Sequence, residues 1–270
     1  MPVLLGAKIR RLDQKEFGEI AYEVMRCAFE VHRELGRCFD EKIYQREMAF
    51  RLADAQTEVP VEAVFETFRK VYYLDLVVDG GAIIELKAVE GLNSRHRGQL
   101  LNYLLLAEAA HGKIVNFRTE RVQHEFVNAT LIHADRIAFA IDDQRWRDMG
   151  TGGLKDRMIA VLRDWGTALD IALYEEVAAH FCGRAAEPLA DIEIRVGPRS
   201  LGRQPVRLAK PNVALRVTSF GPDDSLAFES HLHRFGEHTA LHAIQWINIT
   251  PSRVQFTTID TGKGGLKDGD

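Results

Sequence analysis

The sequence predicts an α/β protein in which helices pack on a mixed sheet and the whole unit is repeated in tandem. Three observations predict it. Apolar residues at helical spacing give way to short runs rich in β-branched and aromatic residues and then return. Turn chemistry such as Asp79-Gly80-Gly81 separates the runs. The second half also matches the first faintly, in chain order.

From Glu16 to Glu34, Ile20, Val24, Ala28 and Val31 recur at helical spacing, and Gly36 stands where a C-cap is wanted. A second helix is predicted from Glu41 to Ala53. Strands are expected at Ala63–Phe68, Val71–Val78 and Ala82–Ala88, as an antiparallel meander. Ser94 is placed to cap a third helix running to Ala110, with Leu100, Leu101, Leu104 and Leu105 as its apolar stripe and Gly112 ending it. Strands at Lys113–Phe117 and Val122–Val127 complete the order ααβββαββ. A loop holding Asp142, Asp143, Gly150, Gly152 and Gly153 follows.

The 270 residues are 46% apolar and 27% charged with 8 Pro, which excludes a disordered chain and allows two domains of ordinary size. We expect these at 1–140 and 141–270. The repeat carries the division. At an offset of 130, Leu35-Gly36 meets Trp165-Gly166, Phe39-Asp40 meets Leu169-Asp170 and Tyr44 meets Tyr174. At an offset of 132, Leu100 meets Leu232, Tyr103 meets Phe235, Val115-Asn116 meets Ile247-Asn248, and Arg121-Val122-Gln123 meets Arg253-Val254-Gln255. In the second copy Glu41 faces Ile171, Asp75 falls near Pro205–Arg207, Glu85 faces Val217 and Lys87 faces Ser219, so a fold is kept and a site is lost.

No apolar run reaches the length of a membrane span, and Lys8, Arg10 and Arg11 interrupt any signal-peptide core, so a cytoplasmic protein without membrane contact is expected. Cys27, Cys38 and Cys182 lack the number and spacing of a disulfide framework or a zinc site, and read as reduced, mostly packed thiols. The net charge of -4 does not advertise polyanion binding, although Asn93-Ser94-Arg95-His96-Arg97 with Arg118 and Arg121 could form a basic face. A solvated face is the commoner explanation of such a cluster.

The chemistry concentrates in YYLDLVVDGGAIIELKAVE. Because strand side chains alternate, Glu85 and Lys87 share one face, with Asp75 on the preceding strand and Leu86 pointing away. A carboxylate and an ammonium among Ile83, Ile84 and Leu86 are costly to bury unless they meet each other, a metal or a substrate. Asp75 and Glu85 suit Mg²⁺ or Mn²⁺, hard cations that take carboxylate and phosphate oxygens. Lys87 could hold an attacking water or neutralise a scissile phosphate. For E-x-K alone a structural ion pair or an edge-strand face in solvent is the better account, and Asp75 ten residues upstream across the hairpin brings the two readings level.

Further residues carry a resemblance. VHRELGRCFDEKIYQREMAFRL, LDLVVDGGAIIELKAVE and RGQLLNYLLL together resemble the GxxExxY proteins, a branch of the PD-(D/E)XK nuclease superfamily near the RecB and Cas4 nucleases. Glu41 and Tyr44 match the first motif, with Cys38 in place of its leading glycine, which puts the loop geometry there in doubt. Asp75, Glu85 and Lys87 match the D…ExK core, and Gln99 and Tyr103 match Q-x-x-x-Y. The likeness spans about 16–127.

It implies a restriction-endonuclease-like fold and catalytic residues Glu41, Asp75, Glu85, Lys87, Gln99 and Tyr103. The implied metal set is Asp75, Glu85, Leu86 and Glu41, with Glu41 serving a second metal or accepting from a water on the first. Gln99 and Tyr103, at i and i+4, would orient the lysine, a water or a phosphate. Tyr44 reads as packing and His32 as a structural hydrogen-bonder, while His231, His233 and His238, a loose cluster in the second half, read as solvent-exposed or core-satisfied by default. The implied activity is Mg²⁺- or Mn²⁺-dependent phosphodiester hydrolysis on nucleic acid, DNA in preference to RNA, by one site in the first half. A homodimer or an intramolecular pseudo-dimer is the implied assembly. The other reading is a catalytically idle nucleic-acid-binding or scaffold protein.

Overall fold

A computed structural model of the protein describes residues 3–185 and 187–263 and divides the chain into two compact units, Met1–His133 and Ala134–Asp270. The division falls ahead of the boundary expected from sequence.

The first unit holds β1 (Val3–Leu5), α1 (Gln14–Leu35), α2 (Glu41–Arg51), β2 (Ala55–Phe65), β3 (Phe68–Val78), β4 (Ala82–Lys87), α3 (Ser94–Leu106), β5 (His111–Asn116) and β6 (Gln123–Asn128). Its sheet runs β1-β2-β3-β4-β5-β6, antiparallel except for the parallel pair β4 and β5. Asp13 and Glu16 close a capping box at the start of α1, whose Phe17, Ala21, Val24, Ala28 and Val31 bury against Ile84, Leu86 and Val115 of the sheet. At the end of α1, Gly36 has a φ of 70°, a conformation that glycine adopts without steric cost.

Several boundaries differ from expectation for identifiable reasons. Ala63–Phe68 is not one strand but the end of β2, a turn at Glu66-Thr67 and the start of β3. That turn contains no Gly, Asn or Pro, and Glu66 takes a φ of 51°. Pro60 sits within β2 beyond the residues paired to β1, so its missing N–H leaves no ladder bond unmade on that side. Asn93, not Ser94, caps α3, by accepting from Arg95 N and His96 N. The helix stops at Leu106, short of Ala110, and Gly112 lies inside β5. A Cβ at Gly112 would come within 3.0 Å of Leu104, so glycine here permits the close approach of α3 to the sheet. Asp142 and Asp143 belong to a strand and not to a loop.

The short helix α4 (His133–Arg136) stands at the junction. The second unit holds β7 (Ala140–Arg145), α5 (Leu154–Trp165), α6 (Ile171–Phe181), β8 (Ala190–Val196), β9 (Arg199–Val206), β10 (Leu208–Lys210), β11 (Val213–Thr218), α7 (Pro222–Glu237), β12 (Ala243–Ile249) and β13 (Arg253–Asp260). Strands β8 and β9 pair with each other, and the other five form a sheet ordered β10-β11-β12-β13-β7. Trp246 is the largest fully buried side chain, in a core with Ile244, Leu232 and Leu241.

The two units repeat the same local devices. Tyr44 donates its hydroxyl proton to Gly36 O at 2.8 Å and accepts from Phe39 N at 3.2 Å. Tyr174 donates to Gly166 O at 2.5 Å and accepts from Leu169 N at 3.3 Å. Asn116 exchanges both amide bonds with the backbone of Val89, two residues past β4, and Asn248 does the same with Phe220, two residues past β11. Strands β3-β4-β5-β6 and β10-β11-β12-β13 share the pairing antiparallel, parallel, antiparallel.

That pairing corrects the residue match across the halves. Glu85 lies opposite Ile114 and Lys87 opposite Asn116, while Arg216 lies opposite Trp246 and Thr218 opposite Asn248. The counterpart of Glu85 is therefore Arg216 rather than Val217, and that of Lys87 is Thr218 rather than Ser219. A slip of one residue exchanges the two faces of a strand.

Candidate functional site

Glu41 opens α2, Asp75 lies in β3, and Glu85 and Lys87 end β4. The fold brings all four together around the ammonium of Lys87, whose Nζ is 2.5 Å from Glu85 Oε1, 3.8 Å from Glu41 Oε2 and 3.9 Å from Asp75 Oδ2. Asp75 Oδ2 also accepts from Leu86 N at 2.9 Å. Leu86 meets the site only through its main chain, because its side chain is buried in the core on the other face.

Glu85 is 1% exposed, and its second oxygen, Oε2, has no hydrogen-bond partner. A buried carboxylate oxygen without a donor is costly and calls for a proton or a cation. Burial, then the neighbouring Asp75 carboxylate, push the Glu85 acid up to about 7 despite Lys87. Burial likewise raises Asp75, against the bond from Leu86 and the pull of Lys87, and raises Glu41. Burial would depress Lys87, but Glu85, Asp75 and Glu41 outweigh it and hold the ammonium charged. Three carboxylates around one amine leave an anionic pocket suited to further positive charge.

The residues fit a hard divalent cation by donor type. Asp75 and Glu85 come from neighbouring antiparallel strands, Glu41 comes from the start of a helix, and the orphaned oxygen of Glu85 is free to ligate. Among the described residues no set of three or more His, Cys, Asp or Glu side chains already forms a metal cage. Lys87 already holds Glu85 Oε1, so Glu85 would ligate through Oε2 while keeping its bond to the ammonium.

Gln99 donates to the Tyr103 hydroxyl at 2.9 Å on the facing side of α3. Burial raises the Tyr103 phenol, which also feels Glu85, Asp75 and Lys87. Among the described residues, no hydrogen bond joins this pair to the four charged groups. His96, on the same helix, is lowered by burial and then by Lys87.

Two neighbours escaped the sequence reading. Gln45 donates to Asp75 O at 2.6 Å and to Glu58 Oε1 at 2.8 Å, and Glu58 also pairs with Lys42. Gln45 stands four residues after Glu41 on one helical face, a spacing that could have found it. Glu58 carries no such signal, since it sits in a strand with a φ of 52°.

Other expectations resolve simply. Cys38 is exposed rather than packed, while Gly36 and not Cys38 takes the positive φ of the loop. His32 Nε2 is 3.0 Å from Thr119 O, and Tyr44 stacks on Phe117 at 4.4 Å. In the basic stretch, Arg97 pairs with Glu125 at 2.7 Å and Arg118 donates to Ala88 O. No helix among the described residues is long and apolar enough to cross a membrane.

Three carboxylates and one lysine thus converge at the end of a central strand, a donor set whose chemistry suits metal-assisted attack on a phosphoryl group. Residues 18–128 match the family model of the PD-(D/E)XK nuclease superfamily, and this segment contains all four charged residues. No curated protein matches the chain. A crystal structure of SSO0001 is similar at 23% identity over 45% of this chain and 60% of that one, with a TM-score of 0.26. The match spans less than two thirds of that protein.

Proposed function

We propose that the first unit is a divalent-metal-dependent nuclease, of the GxxExxY and RecB-like branch, that hydrolyses DNA in preference to RNA. The observation that carries the reading is Glu85, buried in an apolar strand with one oxygen on Lys87 and the other unpartnered. The match of residues 18–128 to the family model of the PD-(D/E)XK nuclease superfamily, whose nucleases typically use divalent metals, supports it. Asp75 and Glu85, with the Leu86 main chain and Glu41, would hold Mg²⁺ or Mn²⁺. Such an ion, when bound, polarises a phosphoryl oxygen and acidifies water.

Lys87 keeps its proton beside Glu85 and sets a fixed positive charge where the attacked phosphoryl group gains negative charge. Water supplies the oxygen that bonds to phosphorus as the P–O ester bond breaks, and the leaving oxygen takes up a proton. Gln99 and Tyr103 hold the open side of the site and orient phosphate or water. Gln45 steadies the strand bearing Asp75 through its carbonyl. We further propose that the second unit is a duplicate without the carboxylates, so the protein carries one cleaving site.

Cleavage of labelled single-stranded DNA, duplex DNA and RNA with Mg²⁺ or Mn²⁺ tests the reading. Asp75→Asn, Glu85→Gln and Lys87→Ala should each lower the rate on the order of 100-fold or more, and Gln99→Ala by roughly 10-fold. Absence of cleavage of any substrate by the folded wild-type protein with either metal would leave only a nucleic-acid-binding scaffold.

A further inference from the structure

A cavity of about 400 Å³ opens in the second unit between α6, β11 and α7, lined by Glu175, Arg216, Val217, Phe228, His231 and Phe235. Arg216 is half-buried and has no hydrogen-bond or ion-pair partner among the described residues. Glu175 is opposed by Arg207 at 4.0 Å, which leaves the guanidinium of Arg216 as the unmatched charge of the cavity. Phe228 packs at 5.7 Å from Trp246 and 4.8 Å from Phe220, and Phe235 closes the same wall one turn of α7 beyond His231. Fixed aromatic rings, one unpaired guanidinium and a histidine suit a ligand with a flat ring at one end and an anion at the other.

Position sharpens this. Arg216 is the register counterpart of Glu85, and His231 and Phe235 stand at the offset of Gln99 and Tyr103. Where the first unit presents carboxylates, which need a cation before they can meet a phosphate, the second presents a guanidinium, which meets one directly. We propose that this cavity binds an unstacked nucleotide, with the base against Phe228 and Phe235 and the phosphate on Arg216, without metal and without cleaving it. The inference stands on the chemistry of this cavity and does not require the first unit to be active.

Calorimetric titration of the full chain in EDTA with adenosine 5′-monophosphate, adenosine and inorganic phosphate, beside anisotropy of a labelled single-stranded 12-mer, tests it. Expected is saturable binding of the monophosphate or of the oligonucleotide, tighter than adenosine, weakened at least ten-fold by Arg216→Gln and by Phe235→Leu and unchanged by Glu85→Gln. Monophosphate binding identifies a free nucleotide as the ligand, and oligonucleotide binding alone identifies a strand. Binding of neither, or binding indifferent to both substitutions in variants shown folded by circular dichroism, overturns it. Should Arg216→Gln not fold, Arg216→Lys, which keeps the charge and loses the bidentate fork, should still weaken monophosphate binding and serves the same arm. Glu85→Gln separates the outcomes, because it removes cleavage alone.

Discussion

Glu85 shows how one residue can report a function against its own stability. Its acid sits at about 7 where a solvated glutamate has 4.5, because burial and then Asp75 disfavour the charge. In the metal-free protein the folded state therefore binds more protons than the unfolded state between those two values. Stability then falls as pH rises through that window, by on the order of 2–3 kcal/mol, with the raised Asp75 and Glu41 adding in the same direction. Urea denaturation in EDTA should show this decline for the wild type and a flatter profile for Glu85→Gln, which should be the more stable of the two near pH 8. A wild-type profile that rises over the window, or one that the variant reproduces, contradicts the assignment. Asp75, Glu85 and Lys87 were readable in the sequence because ionised groups in apolar strands need a reason, and Glu41, at the start of a helix, through its place in the resemblance. Glu58 was not, because a polar residue at an exposed strand position has no such tension, and Gln45 was marked only by its four-residue spacing from Glu41.

At the scale of elements, the sequence revealed helices better than strand ends. The capping box of α1 and the glycine at its close are local chemistry, and both show in the letters. The turn at Glu66-Thr67 and the reversal after α3 at Glu108 use non-glycine residues with positive φ, so nothing local announced them. The match between halves was visible at Tyr44 and Tyr174 for a physical reason: each hydroxyl ties the helix-closing glycine carbonyl to an N–H three residues later, and no other side chain reaches both. The counterpart of Glu85 was misread by one position because strands alternate with period two, and only hydrogen-bond register decides between neighbours. Tyr174→Phe should cost about 1–3 kcal/mol, as a buried carbonyl and N–H lose their partner, and Tyr44→Phe less, because Gly36 is half-buried and Phe39 exposed. Urea denaturation of the two variants checks this, and an unchanged midpoint for both denies the tether its role.

The whole molecule divides its labour by burying two separate cores. Val24, Ile84, Leu86 and Val115 belong to the first, and Leu232, Ile244 and Trp246 to the second. Each sheet is completed by strands of its own unit, since β1 to β6 all precede His133 and β7 with β10 to β13 all follow it. A unit of this length buries roughly two thirds of the surface of its unfolded chain, enough for independent folding without a disulfide or metal staple. The residues proposed to cleave lie entirely in the first unit and the aromatic cavity entirely in the second. The fragment ending at His133 is therefore expected to unfold cooperatively and to keep metal-dependent cleavage within about ten-fold of the full chain. The fragment beginning at Ala134 should fold, cleave nothing and retain the nucleotide binding assigned to its cavity. Thermal unfolding, cleavage and titration of the two fragments beside the full chain would read all three, and a folded first fragment that has lost cleavage would show that the second unit completes the site.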